Sequence, residues 1–320
     1  MMQKKVEIEL EFIELFAGIG GFRYGLENCR NVLQSKITKN IQKTMPCVEK
    51  GEARFTCVFA NEWDKYACKI YRKNFGEGEL YEGDIRKIPA ESIPNHDLIT
   101  AGFPCQAFSI AGKRKGFNDT RGTLFFEICR IAEVKKPRLL LLENVKGLLN
   151  HKKGDTFRTI LLSLSELGYD CEWEVFNSKN FGVPHNRERV FIVGHLRGKS
   201  GQKVFPIGGI REAPHKQDEI NFKIIHNVYG GFGEKTVREF KKYSPTIRTS
   251  KGGGHLPMIV KDNKIRRITP IECERLQGFP DNWTEGISDN QRFKCLGNAV
   301  TVNIIAEIGK RIAKVQQGIF

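Results

Sequence analysis

One unit recurs through the first two-thirds of this chain: a short apolar run that ends in a turn of glycine or polar residues. Glu11-Phe12-Ile13-Glu14-Leu15-Phe16 leads into Ala17-Gly18-Ile19-Gly20-Gly21, and Phe22 to Asn28 then has the pattern to start a helix. The same texture returns at Phe55 to Ala60, Asp97 to Ala101, Leu139 to Leu142 and Arg189 to Gly194. Runs of this kind read as parallel strands buried on both faces, so the expectation is an α/β fold with an open, mostly parallel sheet. Ligands of such sheets gather beyond the carboxyl ends of the strands. That rule brings Gly18 to Gly21, Asn61 to Asp64, Gly102 to Gln106 and Glu143-Asn144 around one crevice.

From about residue 195 the texture becomes glycine-rich, basic and irregular, with Gly208-Gly209, Gly230-Gly231-Phe232-Gly233 and Lys251-Gly252-Gly253-Gly254. We expect a larger domain over residues 1–194, completed by 290–320, and a smaller one over 195–289. Residues 29–54 are polar and read as an insertion. Of the net charge of +15, none falls in residues 1–100, +7 in 101–200 and +8 in 201–320. Clustered Lys and Arg displace counterions from phosphates, so the asymmetry points to a nucleic acid, and residues 221–270 are the expected reader. A solvated basic surface is the plainer alternative. No apolar run is long enough to span a bilayer, and the amino terminus lacks a signal-like region. Nine cysteines without metal-ligand spacing suit a reducing cytoplasm, with no metal expected.

The crevice residues carry chemistry. Glycines after the first strand let backbone approach a ligand, although the spacing is not that of a dinucleotide fingerprint. Glu62-Trp63 and Asp84-Ile85 then offer one carboxylate for ribose hydroxyls, an indole to stack on a purine and a second carboxylate for an exocyclic amine. On the plainer reading Glu62 caps a helix, Trp63 is core and Asp84 closes a turn. In Gly102-Phe103-Pro104-Cys105-Gln106 the thiol stands at a strand end, where a lowered pKa makes a nucleophile. Glu143-Asn144 brings an acid to the same edge. Ala107 to Arg121, with Lys113-Arg114-Lys115 between glycines, has the composition of a mobile lid.

Taken in order, the segments Phe16-Ala17-Gly18-Ile19-Gly20-Gly21, Asn61-Glu62-Trp63, Gly83-Asp84-Ile85, Gly102-Phe103-Pro104-Cys105-Gln106, Arg121-Gly122-Thr123-Leu124-Phe125-Phe126, Glu143-Asn144-Val145, Arg187-Glu188-Arg189, Arg275-Leu276-Gln277-Gly278-Phe279-Pro280 and Gly297-Asn298-Ala299-Val300 span nearly the whole chain. In that order the chain closely resembles the cytosine-C5 DNA methyltransferases of bacterial restriction-modification systems. The resemblance implies a Rossmann-like S-adenosylmethionine-dependent methyltransferase domain plus a smaller, irregular target-recognition domain. It also implies methyl transfer from S-adenosylmethionine, leaving S-adenosylhomocysteine. Phe16, Gly18, Ile19, Gly20, Gly21, Glu62, Trp63, Asp84, Ile85, Gly102, Pro104, Leu124, Asn298 and Ala299 match cofactor positions. Cys105 matches the nucleophile, Glu143 the carboxyl at the cytosine ring nitrogen, and Arg187 and Arg189 the pair beside the base, with Asn144 orienting the site.

Such an enzyme flips the target cytosine out of duplex DNA, adds Cys105 to C6 and methylates C5. Lys113, Arg114 and Lys115 are then the expected phosphate contacts on the loop, joined by Gln106 and Ser109. Thr246 resembles the family's Thr in a Thr-plus-aliphatic pair and is expected beside the flipped nucleotide, with Arg248 and Lys251 as further DNA contacts. Two departures stand out: His185 replaces the usual Gln before Arg-x-Arg, and the step from Gly21 to Glu62 is long. Double-stranded DNA is the expected partner, a cognate endonuclease without a stable complex is the further candidate, and the build suits a monomer. A tRNA cytosine-C5 methyltransferase, a DNA-binding module without catalysis and a nicotinamide-dependent oxidoreductase are the other readings. Residues 195–289 lack the tRNA branch's Cys-Phe-Thr signature, and the third reading leaves the thiol unexplained.

Overall fold

In the computed structural model, residues 8–29, 54–104, 124–199, 202–207, 223–227, 237–240, 242–247, 256–261 and 264–317 are described. Strands β1 (Glu9–Leu15), β2 (Arg54–Glu62), β3 (Leu80–Glu82), β4 (Leu98–Gly102), β5 (Leu139–Val145), β6 (Tyr169–Asn177) and β8 (Glu188–Leu196) form one seven-stranded sheet, in the order β3-β2-β1-β4-β5-β8-β6. β1 pairs in parallel with β2 and with β4, so the strand order reverses between β1 and β4. At such a reversal the connections leave to opposite faces and open a crevice.

Leu139 to Leu142 explain why an apolar run makes a central strand. Leu139 and Leu141 join a core on one face, and Leu140 and Leu142 join the core on the other. Helices α1 (Gly21–Glu27) and α7 (Val302–Gln317) cover the first face, packed so closely that a methyl group on Gly25 would meet Ile305 at 2.6 Å. On the second face lie α3 (Leu124–Lys135) and α4 (Asp155–Glu166). A third apolar cluster joins Ile19 and helix α2 (Lys65–Phe75) to α5 (Pro270–Gln277) and α6 (Asp289–Asn298).

Two sequence expectations need correction here. The run at Arg189 to Gly194 is a strand, but β8 runs antiparallel to both β5 and β6. Only residues 178–187 separate β6 from β8, too few for the crossover that a parallel neighbour requires. Between them, β7 (His185–Asn186) pairs instead with β11 (Ser244–Pro245). Within 195–289, strands β9 (Lys223–Asn227), β10 (Val237–Phe240), β12 (Met258–Lys261) and β13 (Lys264–Arg267) form a four-stranded antiparallel sheet, more regular than the glycine-rich composition suggests. Nearly all of the 29–54 insertion and the whole of the expected lid, 107–121, lie outside the described residues.

One charged group sits within the first core. The Glu14 carboxyl, one residue from the carboxyl end of β1, is fully buried, and accepts from the Phe22 N–H at 3.1 Å and the Tyr71 hydroxyl at 3.3 Å. Burial pushes its pKa from 4.5 up to about 8, against the smaller opposing pull of Arg23 and these hydrogen bonds. The folded state therefore holds this proton over a window in which the unfolded chain has released it. Stability from this group is fully present below about pH 4.5 and is lost as pH rises towards about 8. Glu14→Gln, which keeps an acceptor for Phe22, is expected to match wild type in denaturant melts at pH 5 and to exceed it by at least about 1 kcal/mol at pH 8, one pKa unit being about 1.4 kcal/mol. Equal gains at both pH values would show that the carboxyl is not the titrating group.

Candidate active site

Beyond the carboxyl ends of β1, β2, β4 and β5 lies a cavity of 380 Å³, within the range of small-molecule sites. Its floor is the turn between β1 and α1. Gly18 and Gly20 have φ of +57° and +80°, a left-handed conformation that a side chain would strain. The Glu62 carboxylate clasps this turn: one oxygen accepts from the Gly18 N–H at 2.8 Å, and the other from the N–H groups of Trp63 and Asp64. Glu62 thus preorganises the turn as well as lining the cavity.

The plainer readings of these residues divide. Asp64, not Glu62, caps α2, accepting from Tyr66 and Ala67. Trp63 is 65% exposed and is no core residue, so its indole face is open at the cavity. Asp84 does close a turn, accepting from the Arg86 N–H, and the Arg86 guanidinium beside it holds its pKa below the usual carboxylate value. It also lines the cavity, next to the buried Ile85. Asn61, placed at the crevice by the sequence without a role of its own, donates to the carbonyls of Tyr81 and Gly83 and so ties that turn to β2.

Phe16, Gly18, Gly21, Gly102, Pro104, Leu124, Asn298 and Ala299 also line the cavity. Ile19 and Gly20 stand one layer behind. Ile19 is buried in the third apolar cluster, where its carbonyl accepts from the Trp283 indole N–H at 3.0 Å, and Gly20 lies against Phe75. Trp283 carried no sequence signal, because its partner is joined to it only by the fold.

At the other end of the cavity, Glu143 and Arg189 form an ion pair of 3.0 Å, both largely buried. The second Glu143 oxygen lies over Gly102, 3.5 Å from where a β-carbon would sit. Asn144 donates to the Phe103 carbonyl at 2.8 Å and fixes the approach to Pro104, the last described residue before Cys105. Burial lowers the pKa of both Arg187 and Arg189. Arg187 lines the cavity but spends its guanidinium on backbone, donating to the carbonyls of Ile247, Gly297 and Ala299 at 3.5, 3.3 and 2.9 Å. The Thr246 hydroxyl donates to the Asn186 carbonyl at 2.9 Å. Cys105, Gln106, Ser109, Lys113, Arg114, Lys115, Arg248 and Lys251 lie outside the described residues.

His185 is fully buried, and burial, with the nearby Arg187 charge, pushes its pKa down to about 3. The ring is therefore neutral, with Nδ1–H donating to the Leu276 carbonyl and Nε2 accepting from the Ile247 N–H, each at 3.2 Å. A Gln offers the same donor and acceptor on one amide, which accounts for the exchange seen in the sequence.

The arrangement can hold an adenosyl-sized ligand at one end and present a carboxyl with a buried guanidinium at the other. Solved structures share the fold: that of the Schizosaccharomyces pombe Dnmt2 methyltransferase superposes with a TM-score of 0.66 at 20% identity, over 95% of this chain and 98% of that one. Type II methyltransferase M.SsoII of Shigella sonnei is 39% identical over 324 residues, 94% of this chain and 79% of that protein. Type II methyltransferase M.HhaI of Haemophilus parahaemolyticus is 33% identical over 95% of this chain and 94% of that one. The profile of the C-5 cytosine-specific DNA methylases matches residues 10–229 and 208–314. With the profile running through both the cavity and the segments that close it, the chain belongs to the C-5 cytosine-specific DNA methylase family.

Proposed function

We propose that this DNA cytosine-C5 methyltransferase takes S-adenosylmethionine as methyl donor and acts as the modification enzyme of a restriction-modification system, on a cytosine flipped from duplex DNA. The observation that carries the reading is the cavity itself, with an exposed indole and two carboxylates at one end and the Glu143–Arg189 pair at the other. The residues fit the cofactor: Trp63 offers a flat face for adenine, Asp84 an ionised acceptor, and Glu62 the one acceptor site its three backbone donors leave on Oε2 for a ribose hydroxyl. When bound, S-adenosylmethionine supplies the electrophilic methyl group that C5 takes.

The protein's part is to make C5 nucleophilic. The Cys105 thiolate adds to C6 of the cytosine, and the ring's electrons move towards C5 and the ring nitrogen. Glu143 holds a proton at that nitrogen, which stabilises charge as it develops. Arg189 fixes the Glu143 carboxyl and reaches for the ring carbonyl oxygen. After methylation a base takes the C5 proton and Cys105 leaves C6 as its thiolate, which restores the aromatic ring. Asn144 sets the direction in which the chain delivers Cys105. Residues 1–194 with 290–320 make up the catalytic domain in this reading, and 195–289 read the DNA. Gln106, Ser109, Lys113, Arg114, Lys115, Thr246, Arg248 and Lys251 touch the duplex around the flipped base. The protein acts as a monomer in the cytoplasm, without a stable complex with an endonuclease. The M.SsoII and M.HhaI names support the restriction-modification role.

Purified protein given labelled S-adenosylmethionine and unmethylated duplex DNA, followed by bisulfite sequencing, is expected to methylate cytosines within one short motif. Cys105→Ala is expected to leave none, and a parallel tRNA substrate to stay unlabelled. Labelling of tRNA alone would move the enzyme to the tRNA branch. Glu143→Gln is expected to lower kcat by about 10²–10⁴, the usual weight of a positioned acid, in single-turnover assays, and an unchanged rate rules that role out. Removing the indole in Trp63→Ala is expected to weaken S-adenosylhomocysteine binding by about tenfold, since base stacking on an aromatic is worth about 1–3 kcal/mol. Calorimetric titration measures it, and equal affinity would place the adenine elsewhere.

A further inference from the structure

Three remote parts of the chain meet at the segment His185–Arg187. Ser244 and Pro245 pair in parallel with His185 and Asn186, and the Ser244 N–H donates to the Pro184 carbonyl at 2.8 Å. The next residues are held by side chains. Both backbone polar groups of Ile247 are taken: its N–H donates to His185 Nε2, and its carbonyl accepts from Arg187. These two side chains reach onward from the same short segment. His185 donates to Leu276 in the last turn of α5, and Arg187 donates to Gly297 and Ala299. Beside Leu276, the Gln277 amide donates to the carbonyls of Leu296 and Ala299 at 2.7 and 3.1 Å. Gly297, Asn298 and Ala299 are a wall of the cavity.

Ile247 is thus clipped to that wall by buried hydrogen bonds, and it packs in the same apolar cluster as Leu276, Leu296 and Ala299. Leaving a buried backbone group without a partner is costly, so neither side of the clip can shift freely without the other. We propose that His185 is a positioning residue that couples the recognition segment 244–247 to the cofactor wall 297–299, so that DNA and cofactor each strengthen the binding of the other. The proposal rests on reading the cavity as the adenosyl site and 195–289 as the DNA reader. Coupling between two sites is reciprocal by thermodynamic necessity, which gives the clip two independent readouts.

In the first, S-adenosylhomocysteine affinity is measured by equilibrium dialysis, alone and with saturating unmethylated plasmid DNA. Wild type is expected to bind about fivefold or more tightly with DNA, the low end of usual coupling. His185→Leu, which fills the space without hydrogen bonds, is expected to reduce that ratio below about twofold while binding S-adenosylhomocysteine alone nearly as wild type does. His185→Gln, which restores one donor and one acceptor, is expected to keep the ratio. A merely structural role lowers the melting temperature and the folded fraction of His185→Leu but leaves the ratio unmoved. The second readout is hydrogen exchange in wild type, which needs no variant to fold. Added S-adenosylhomocysteine is expected to slow exchange in peptides covering 244–247, and DNA to slow those covering 296–300.

A wild-type ratio of one, a folded His185→Leu that keeps the ratio, a folded His185→Gln that loses it, or exchange at 244–247 blind to S-adenosylhomocysteine overturns the coupling. Failure of wild type to bind S-adenosylhomocysteine at all overturns the reading of the cavity and the coupling with it.

Discussion

Two acidic side chains hold the turn on which the cavity is built. Glu62 takes the Gly18 N–H from the neighbouring strand β2, and Glu14 takes the Phe22 N–H from inside β1. Between them the glycine turn is fixed at its start and just beyond its end, with its backbone facing the cavity. Parallel strands create the need for such clasps: their carboxyl ends leave N–H groups at helix starts without partners, and something polar must meet them. Here two acids meet them within the protein, at the point where the strand order reverses. Tyr71 and Arg23 then attend Glu14, which binds α2 into the same arrangement.

The opposite end of the cavity depends on cations. Arg187 is buried and Arg189 largely so, with Glu143 paired to Arg189. Arg187 has backbone carbonyls for partners, the weaker but more numerous solution to burying a charge. This explains how one Arg-x-Arg motif can serve two purposes. Arg189 lies against the acid, while Arg187 draws together segments that are 60 to 112 residues distant in sequence.

What the sequence made legible follows from the same physics. The runs ending at Phe16, Ala60, Ala101 and Leu142 could be read because strands buried on both faces must be apolar throughout, and their polar ends identify the crevice. Strand β6 could not, because it is an edge strand in which exposed Asp170 and Trp173, with partly buried Glu172 and Glu174, break the apolar run. The direction of β8 was equally hidden, since an apolar run looks the same both ways. Glu62, Trp63, Asp84, Glu143 and Asn144 meet in space because each ends a strand or opens a turn at one sheet edge. The Trp283 contact with Ile19 and the carbonyl partners of Arg187 had no local signal, as they depend on how the last segments return to the first domain. His185 stood out only as a departure from a pattern, and its two hydrogen bonds give that departure a reason.

The central claim is that the carboxyl at one end of the cavity and the thiol following Pro104 act together on one cytosine ring. Duplex DNA made with 5-fluorocytosine in place of cytosine tests this directly, because fluorine at C5 cannot leave as the proton does, and the bond from protein to C6 persists. With S-adenosylmethionine present, the account predicts a denaturation-resistant protein–DNA adduct whose digested peptide, weighed by mass spectrometry, carries the modified base on Cys105. No adduct, or an adduct on any other residue, contradicts it.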